Sequence, residues 1–140
     1  MNEDIALNKI LGNIKKKQKV GVGDFVLGEV AVVKDNMAVV ELIHGFNKVL
    51  SPADVGVLFV KNIDTRYVEK PEDCFSKGDI IKAKITEVGP YEYKLATNSP
   101  ELGVVMTVCK KCKETLYGES RACWNCKSQI TKKFAVERDW

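Results

Sequence analysis

Two Cys-x-x-Cys pairs stand near the C-terminal end of the chain, Cys109-Lys110-Lys111-Cys112 and Cys123-Trp124-Asn125-Cys126, with ten residues between them. Each pair bends the backbone into a tight knuckle that aims two sulfurs at one point. Four thiolates at this spacing are the donor set of a tetrahedral zinc site. The ten residues Lys113 to Ala122 are enough for a strand, a turn around Gly118-Glu119-Ser120 and a return strand, which would set the second knuckle opposite the first. The expected product is a zinc ribbon, a module held by its metal because it has too little core to hold itself. Metal removal is then expected to unfold residues from about 104 onward and to leave the rest folded. Four thiolates close the coordination shell, so the site reads as structural, with one Zn2+.

Two other uses of these cysteines compete with zinc. An iron–sulfur cluster also takes four cysteines, but the short gap and the hairpin pattern favour zinc. Disulfides fit poorly: no signal peptide is visible, and a fifth cysteine, Cys74, leaves the count odd. Cys74 lies just before Phe75 and reads as a small buried hydrophobe. Unoxidised cysteines in a zinc pattern point to a reducing, cytoplasmic setting. No apolar run approaches the roughly eighteen residues needed to span a bilayer.

The metal alters the charge argument. The formal net charge is +3; four thiolates subtract four and zinc adds two, leaving about +1. Global charge is therefore no argument for a nucleic-acid partner. Lys110, Lys111, Lys113 and Lys127 crowd the knuckles, where they either offset the negative metal centre or meet RNA phosphates.

The 140 residues divide in three, with two parts ahead of the cysteine segment. Residues 1–21 form a leader in which Leu7, Ile10, Leu11 and Ile14 follow amphipathic-helix spacing, ending in Lys15-Lys16-Lys17-Gln18-Lys19. That basic run reads as a solvated helix end or as a phosphate-binding arm. Residues 22–98 read as all-β. Gly23-Asp24 opens a strand over Phe25–Val33, Asp35-Asn36 turns it, and Met37–Ile43 returns. A third strand is expected over Val57–Lys61, followed by a long connection, Asn62 to Lys77, carrying Pro71 and room for a short helical turn. Gly78-Asp79 opens Ile80–Val88 as Gly23-Asp24 opened the first strand, and Gly89-Pro90 turns the chain into Tyr91–Thr97. Five short antiparallel strands with a long break between the third and fourth fit an OB-type barrel. Gly28 and Ala83, shortly after the two Gly-Asp pairs, are small enough to let a strand coil around a closed barrel. Residues 99–140 are the ribbon, with Leu102–Val108 leading into the first knuckle and Ile130–Val136 as its last strand.

Certain stretches carry a resemblance: Gly-Asp-Phe-Val-Leu-Gly-Glu-Val at 23–30, Asp-Asn-Met-Ala-Val-Val at 35–40, Tyr-Val at 67–68, Phe-Ser-Lys-Gly-Asp-Ile-Ile-Lys-Ala-Lys-Ile at 75–85, Leu-Gly-Val-Val at 102–105, and both knuckles. The barrel resembles a ribosomal S1-type RNA-binding domain. Barrel and ribbon together resemble the S1-domain/zinc-ribbon cap subunit of the archaeal RNA exosome, lacking most of that family's N-terminal domain. The resemblance implies a non-catalytic subunit that contacts the exosome ring subunits and other cap proteins, and helps to admit RNA to a phosphorolytic ring for 3′-to-5′ decay.

The resemblance also implies an RNA face on strands two, three and five. Where S1-type domains expose aromatic residues, Val39 and Val57 stand here; Phe59 stands where a histidine is common and Glu92 where an arginine is often found. Phe59 remains as a stacking platform, with Lys61 beside it and Arg66 and Tyr67 in the following loop. Tyr91, Tyr93 and Lys94 would add a second platform on strand five. Alternation places Leu58 and Val60 in the core and Val57, Phe59 and Lys61 on the outer face, where Phe59 meets either RNA or a protein partner. Binding there should be weak, salt-sensitive and largely independent of sequence. His44, the sole histidine, reads as a loop residue. No Gly-rich phosphate loop, nucleophile elbow or acid–base pair is legible, so no catalysis is predicted. The competing reading is a free-standing RNA-binding module of the ribosome or transcription machinery, where OB barrels and zinc ribbons also occur.

Overall fold

In the computed structural model the chain is described over residues 19–46, 50, 54–117, 122–130 and 132–135. The expected N-terminal helix, the 118–120 turn and Val136 lie outside those residues. Among the described residues there are seven strands: β1 (Phe25–Val33), β2 (Met37–His44), β3 (Val55–Phe59), β4 (Ile80–Val88), β5 (Tyr93–Ala96), β6 (Gly103–Val108) and β7 (Thr115–Tyr117).

The first five strands close on themselves. β1 pairs antiparallel with β2, β2 with β3, β4 with β5, and β1 again with β4; β3 and β5 run parallel. The fold is therefore an all-β, closed five-stranded barrel in the OB arrangement. Alternation builds it. Val26, Val30, Ala38, Val40, Leu58, Ile81, Ala83, Ile85 and Leu95 are essentially inaccessible to solvent, while the residues next to them on β1, β2, β3 and β4 are exposed or half-buried. Gly28 lets β1 bend: a Cβ there would lie 2.3 Å from Val40 Cγ1. The register between β1 and β2 slips beside it, as a bulge in a coiled strand does.

The two Gly-Asp starts are the same turn made twice. Gly23 and Gly78 take φ values of +90° and +92°. The Asp24 carboxylate accepts the Gly21 amide at 2.8 Å, and the Asp79 carboxylate accepts the Ser76 amide at 2.9 Å. Glycine is required at both because the left-handed backbone excludes a Cβ. The Asp35-Asn36 hairpin forms, with the Lys34 amide donating to the Met37 carbonyl at 2.8 Å, but neither turn residue has a positive φ.

Three elements differ from the sequence-based reading. β3 runs two residues earlier than expected, and Val60–Asn62 turns into a 3-10 helix instead of continuing the strand. The connection after it does hold the expected short helical turn, a 3-10 helix at Pro71–Asp73. His44 is the last residue of β2 and not a loop residue. At the C-terminal side, the described residues of the expected last strand, 130–136, hold one isolated bridge, Phe134 with Val104; a second isolated bridge joins Ala122 and Gln129 ahead of it.

The C-terminal hairpin is built onto the barrel. β6 pairs with Ile80–Lys82 of β4, and β7 pairs with β6. Val104 and Phe134 are buried in the same apolar cluster as the barrel core. A second, small cluster gathers Cys109, Leu116 and Cys123. Gly103, at φ +133°, allows the 133–134 backbone to cross it: a Cβ would come within 2.2 Å of the Lys133 carbonyl oxygen. Lys133 then donates from Nζ to the carbonyls of Ser99 and Leu102, at 2.9 and 2.7 Å.

Candidate metal centre and nucleic-acid interface

The two knuckles repeat one conformation. In the first, the Lys113 amide donates to the Cys109 carbonyl at 3.0 Å and the Cys109 amide to the Glu114 carbonyl at 2.8 Å. In the second, Lys127 donates to Cys123 at 3.0 Å and Cys123 to Ser128 at 2.9 Å. Lys113 and Lys127 close them in the left-handed region, at φ 66° and 63°. The two knuckles face each other, and the four sulfurs all lie within 4.8 Å of one another.

Their spacing matches a four-thiolate ion. Cys109 Sγ is 3.6 Å from Cys126 Sγ, and Cys112 Sγ is 3.5 Å from Cys123 Sγ. A tetrahedron with metal–sulfur bonds of about 2.3 Å has sulfur–sulfur edges of about 3.8 Å. The thiols also conflict when no cation is present. Hydrogen bonding from the Ser128 hydroxyl, 3.0 Å from Cys126 Sγ, and from the Ser128 amide holds Cys126 down to about 6. The amides of Cys112 and Lys111 lower Cys109. Cys112 is pushed up to about 11: the Glu114 amide favours its thiolate, but burial and the neighbouring sulfurs outweigh it. A cation inside the four sulfurs removes that repulsion, so the donor set fits a metal ion. Cys74 takes no part. It is buried in the barrel core, and burial pushes its thiol up.

Between metal site and barrel lies a buried polar clamp. Asp79, 3% exposed, accepts from Thr107 Oγ1 of β6 and from Lys132 Nζ at 2.8 Å. Lys132 Nζ also donates to Ser76 Oγ at 2.9 Å. One carboxylate at the start of β4 thus holds both the outgoing and the returning chain of the hairpin. The sequence marked Asp79 only as a strand start.

The residues expected at an RNA face separate into groups. Phe59, half-buried, ends β3 opposite Met37. Lys94 pairs beside Val57 on the same outer surface and forms an ion pair with Glu87 at 3.2 Å. Lys61 is exposed, but it sits in the 3-10 turn and not on strand parity with Phe59. Arg66 and Tyr67 are exposed and line an open cleft of about 840 Å3 with Gln129, Lys132 and Phe134. Arg66 Nε donates to Asp64 at 3.1 Å. Tyr91 stands free before β5, 91% exposed. Tyr93 is a correction. It is 6% exposed, because Gly56 and Leu95 fix β5 parity with Tyr93 turned inward, and it belongs to the core instead of a stacking platform.

The sequence reading passed over an aromatic and basic group elsewhere on the barrel. Phe25 and Phe46 are 40% and 41% exposed, and Lys82 Nζ lies 5.2 and 5.5 Å from their ring centroids. The available signal was parity: Val26 and Gly28 point inward, so Phe25 must point out.

No protein-family model matches the chain. Among curated proteins, it is 32% identical over 99 residues to the exosome complex component Csl4 of Archaeoglobus fulgidus, a match covering 69% of this chain and 54% of that protein. The chain thus spans about half the length of that relative. Among solved structures, it superimposes with TM-score 0.50 and 19% identity on a chain of the a/eIF2alpha–aDim2p–rRNA complex of Pyrococcus horikoshii OT3, covering 58% of this chain and 46% of that one. It is similar, with the same score and identity, to the intact alpha subunit of aIF2 from Pyrococcus abyssi, covering 58% of this chain and 30% of that one. At this identity these likenesses speak for the barrel fold alone.

Proposed function

We propose, from the premise that this chain is a homologue of the archaeal exosome component Csl4, that it is a non-catalytic cap subunit which guides RNA to a 3′-to-5′ phosphorolytic ring. The observation that carries the reading is the 32% identity extending over 69% of the chain. The barrel and the four-cysteine centre are consistent with it. In this reading the protein acts in the cytoplasm through contacts with RNA and with exosome subunits. Zinc is the ion assigned to the four cysteines, as a structural staple: it supplies the folding energy of the hairpin tip and leaves no coordination position for substrate.

RNA would meet the outer surface of β3 and β5, stacking on Phe59, with Lys61 and Lys94 toward phosphate. Tyr91 before β5, and Arg66 and Tyr67 on the separate cleft, are further exposed groups assigned to RNA. Residues 1–21 are assigned to a leader, 22–98 to the barrel and 99–140 to the ribbon. The test is affinity purification of the tagged full chain from native extract, with metal content measured on the product. Co-purifying phosphorolytic ring subunits and one zinc per chain are expected. Ribosomal or polymerase subunits in their place would reassign the protein to a free-standing RNA-binding module.

A further inference from the structure

The group around Lys82 lies apart from the Phe59 surface. It occupies the outside of β1 and β4 and the far end of β2. Met37, opposite Phe59, and His44 are separated by the length of that strand, roughly 23 Å at the rise of an extended chain. Three strands converge on it. Lys82 of β4 pairs with Leu27 of β1, and Leu27 pairs with His44 of β2, so these side chains form an outward row. Phe25, paired with the exposed Lys84, flanks the row on one side. Phe46 covers the other, its ring 5.0 Å from the His44 ring at an interplanar angle of 34°.

Phe46 holds its place at a backbone cost. Its φ is 57°, in the left-handed region, where a bulky residue is an outlier. The residue is nevertheless 41% exposed, so it is not held there by a place in the core. Strained backbone that presents a side chain to solvent is a mark of a binding surface.

We propose that Phe25, Phe46 and Lys82, with His44 and Lys84 beside them, form a second stacking platform for single-stranded RNA; the proposal rests on the RNA-binding reading above and deepens it. Bases stack on the exposed rings, and the ammonium groups meet the flanking phosphates. A protein partner fits the chemistry less well. The centre of the patch is a lysine, and lysine is depleted from the cores of protein interfaces. The pairing of Glu29 with Glu41 across β1 and β2 sets a negative boundary, which directs the strand toward the Phe25 and Lys84 side. Two platforms on one barrel would let it hold a strand along its length, so that RNA engaged at one is retained at the other.

The experiment measures binding of a fluorescent single-stranded oligouridine of about twenty nucleotides to the metal-loaded full chain. Phe46→Gly, Phe25→Ala and Phe59→Ala are compared, each with a thermal melt. Phe46→Gly is the decisive variant because glycine adopts the left-handed backbone freely, so it should melt at or above the parent temperature. The expected result is an affinity loss of about fivefold or more for Phe46→Gly and for Phe25→Ala. Unchanged affinity in a folded Phe46→Gly protein, with Phe59→Ala still weakened, overturns the second platform and leaves the RNA-binding reading standing. No binding by the parent protein overturns both.

Discussion

At the scale of single residues, Asp79 joins the two halves of the molecule. Its carboxylate is nearly inaccessible and is satisfied on every side: by the Ser76 amide within its own turn, by Thr107 on β6 and by the Lys132 ammonium. Lys132 is itself only 10% exposed. A buried ion pair of this kind adds little net stability over an apolar pair, but removing one partner leaves an uncompensated charge. Asp79→Ala is therefore expected to cost about 3–5 kcal/mol in denaturant unfolding. Asp79→Ala combined with Lys132→Met should cost clearly less than the sum of the single changes. Additive losses would show that the carboxylate acts through its turn and not through the lysine.

The elements of the hairpin divide between two anchors. β6 is tied to β4 by register and by Val104, and the backbone at Lys133 and Ala135 exchanges hydrogen bonds with Val104. The tip has little besides sulfur: Leu116 is its one fully buried aliphatic residue among the described ones, with Ile130 packed alongside. Chelation should therefore not release everything beyond about residue 104. Hydrogen exchange is expected to accelerate by orders of magnitude at β7 and over Cys123–Ser128, while the amides of Val104 and Ala135 stay protected and the melting temperature of the whole falls. Full protection at the tip after metal removal would refute the staple. Much of this architecture was legible beforehand. β1 and β4 have the bounds that alternation and their Gly-Asp starts predict, and the four sulfurs converge as their spacing requires. The misses have local causes. Val60 prolongs the alternating pattern of β3, so nothing in the pattern signals the 3-10 turn. The resemblance turns Tyr93 outward, although Leu95 two residues on fixes its parity inward. The clamp at Asp79 joins residues 28 and 53 positions apart, which no local pattern encodes.

For the molecule as a whole, a metal-loaded charge near +1 means that RNA affinity must come from local groups and not from a global field. Among the described residues, the lysines assigned to the two aromatic surfaces are Lys61 and Lys94 on one and Lys82 and Lys84 on the other. Lys94 already faces Glu87, which competes with phosphate. Each phosphate neutralised on a single strand contributes about −0.7 to the slope of log affinity against log salt. Four cations together then set a slope no steeper than about −3, and stacking supplies the remaining affinity without salt dependence. Titrations of the oligouridine between about 50 and 200 mM salt read that slope directly. A value near −2 to −3 fits the two surfaces acting together. A markedly steeper one would bring in the lysines around the metal centre, Lys110, Lys111 and Lys127, and would turn the ribbon from a staple into part of the RNA path.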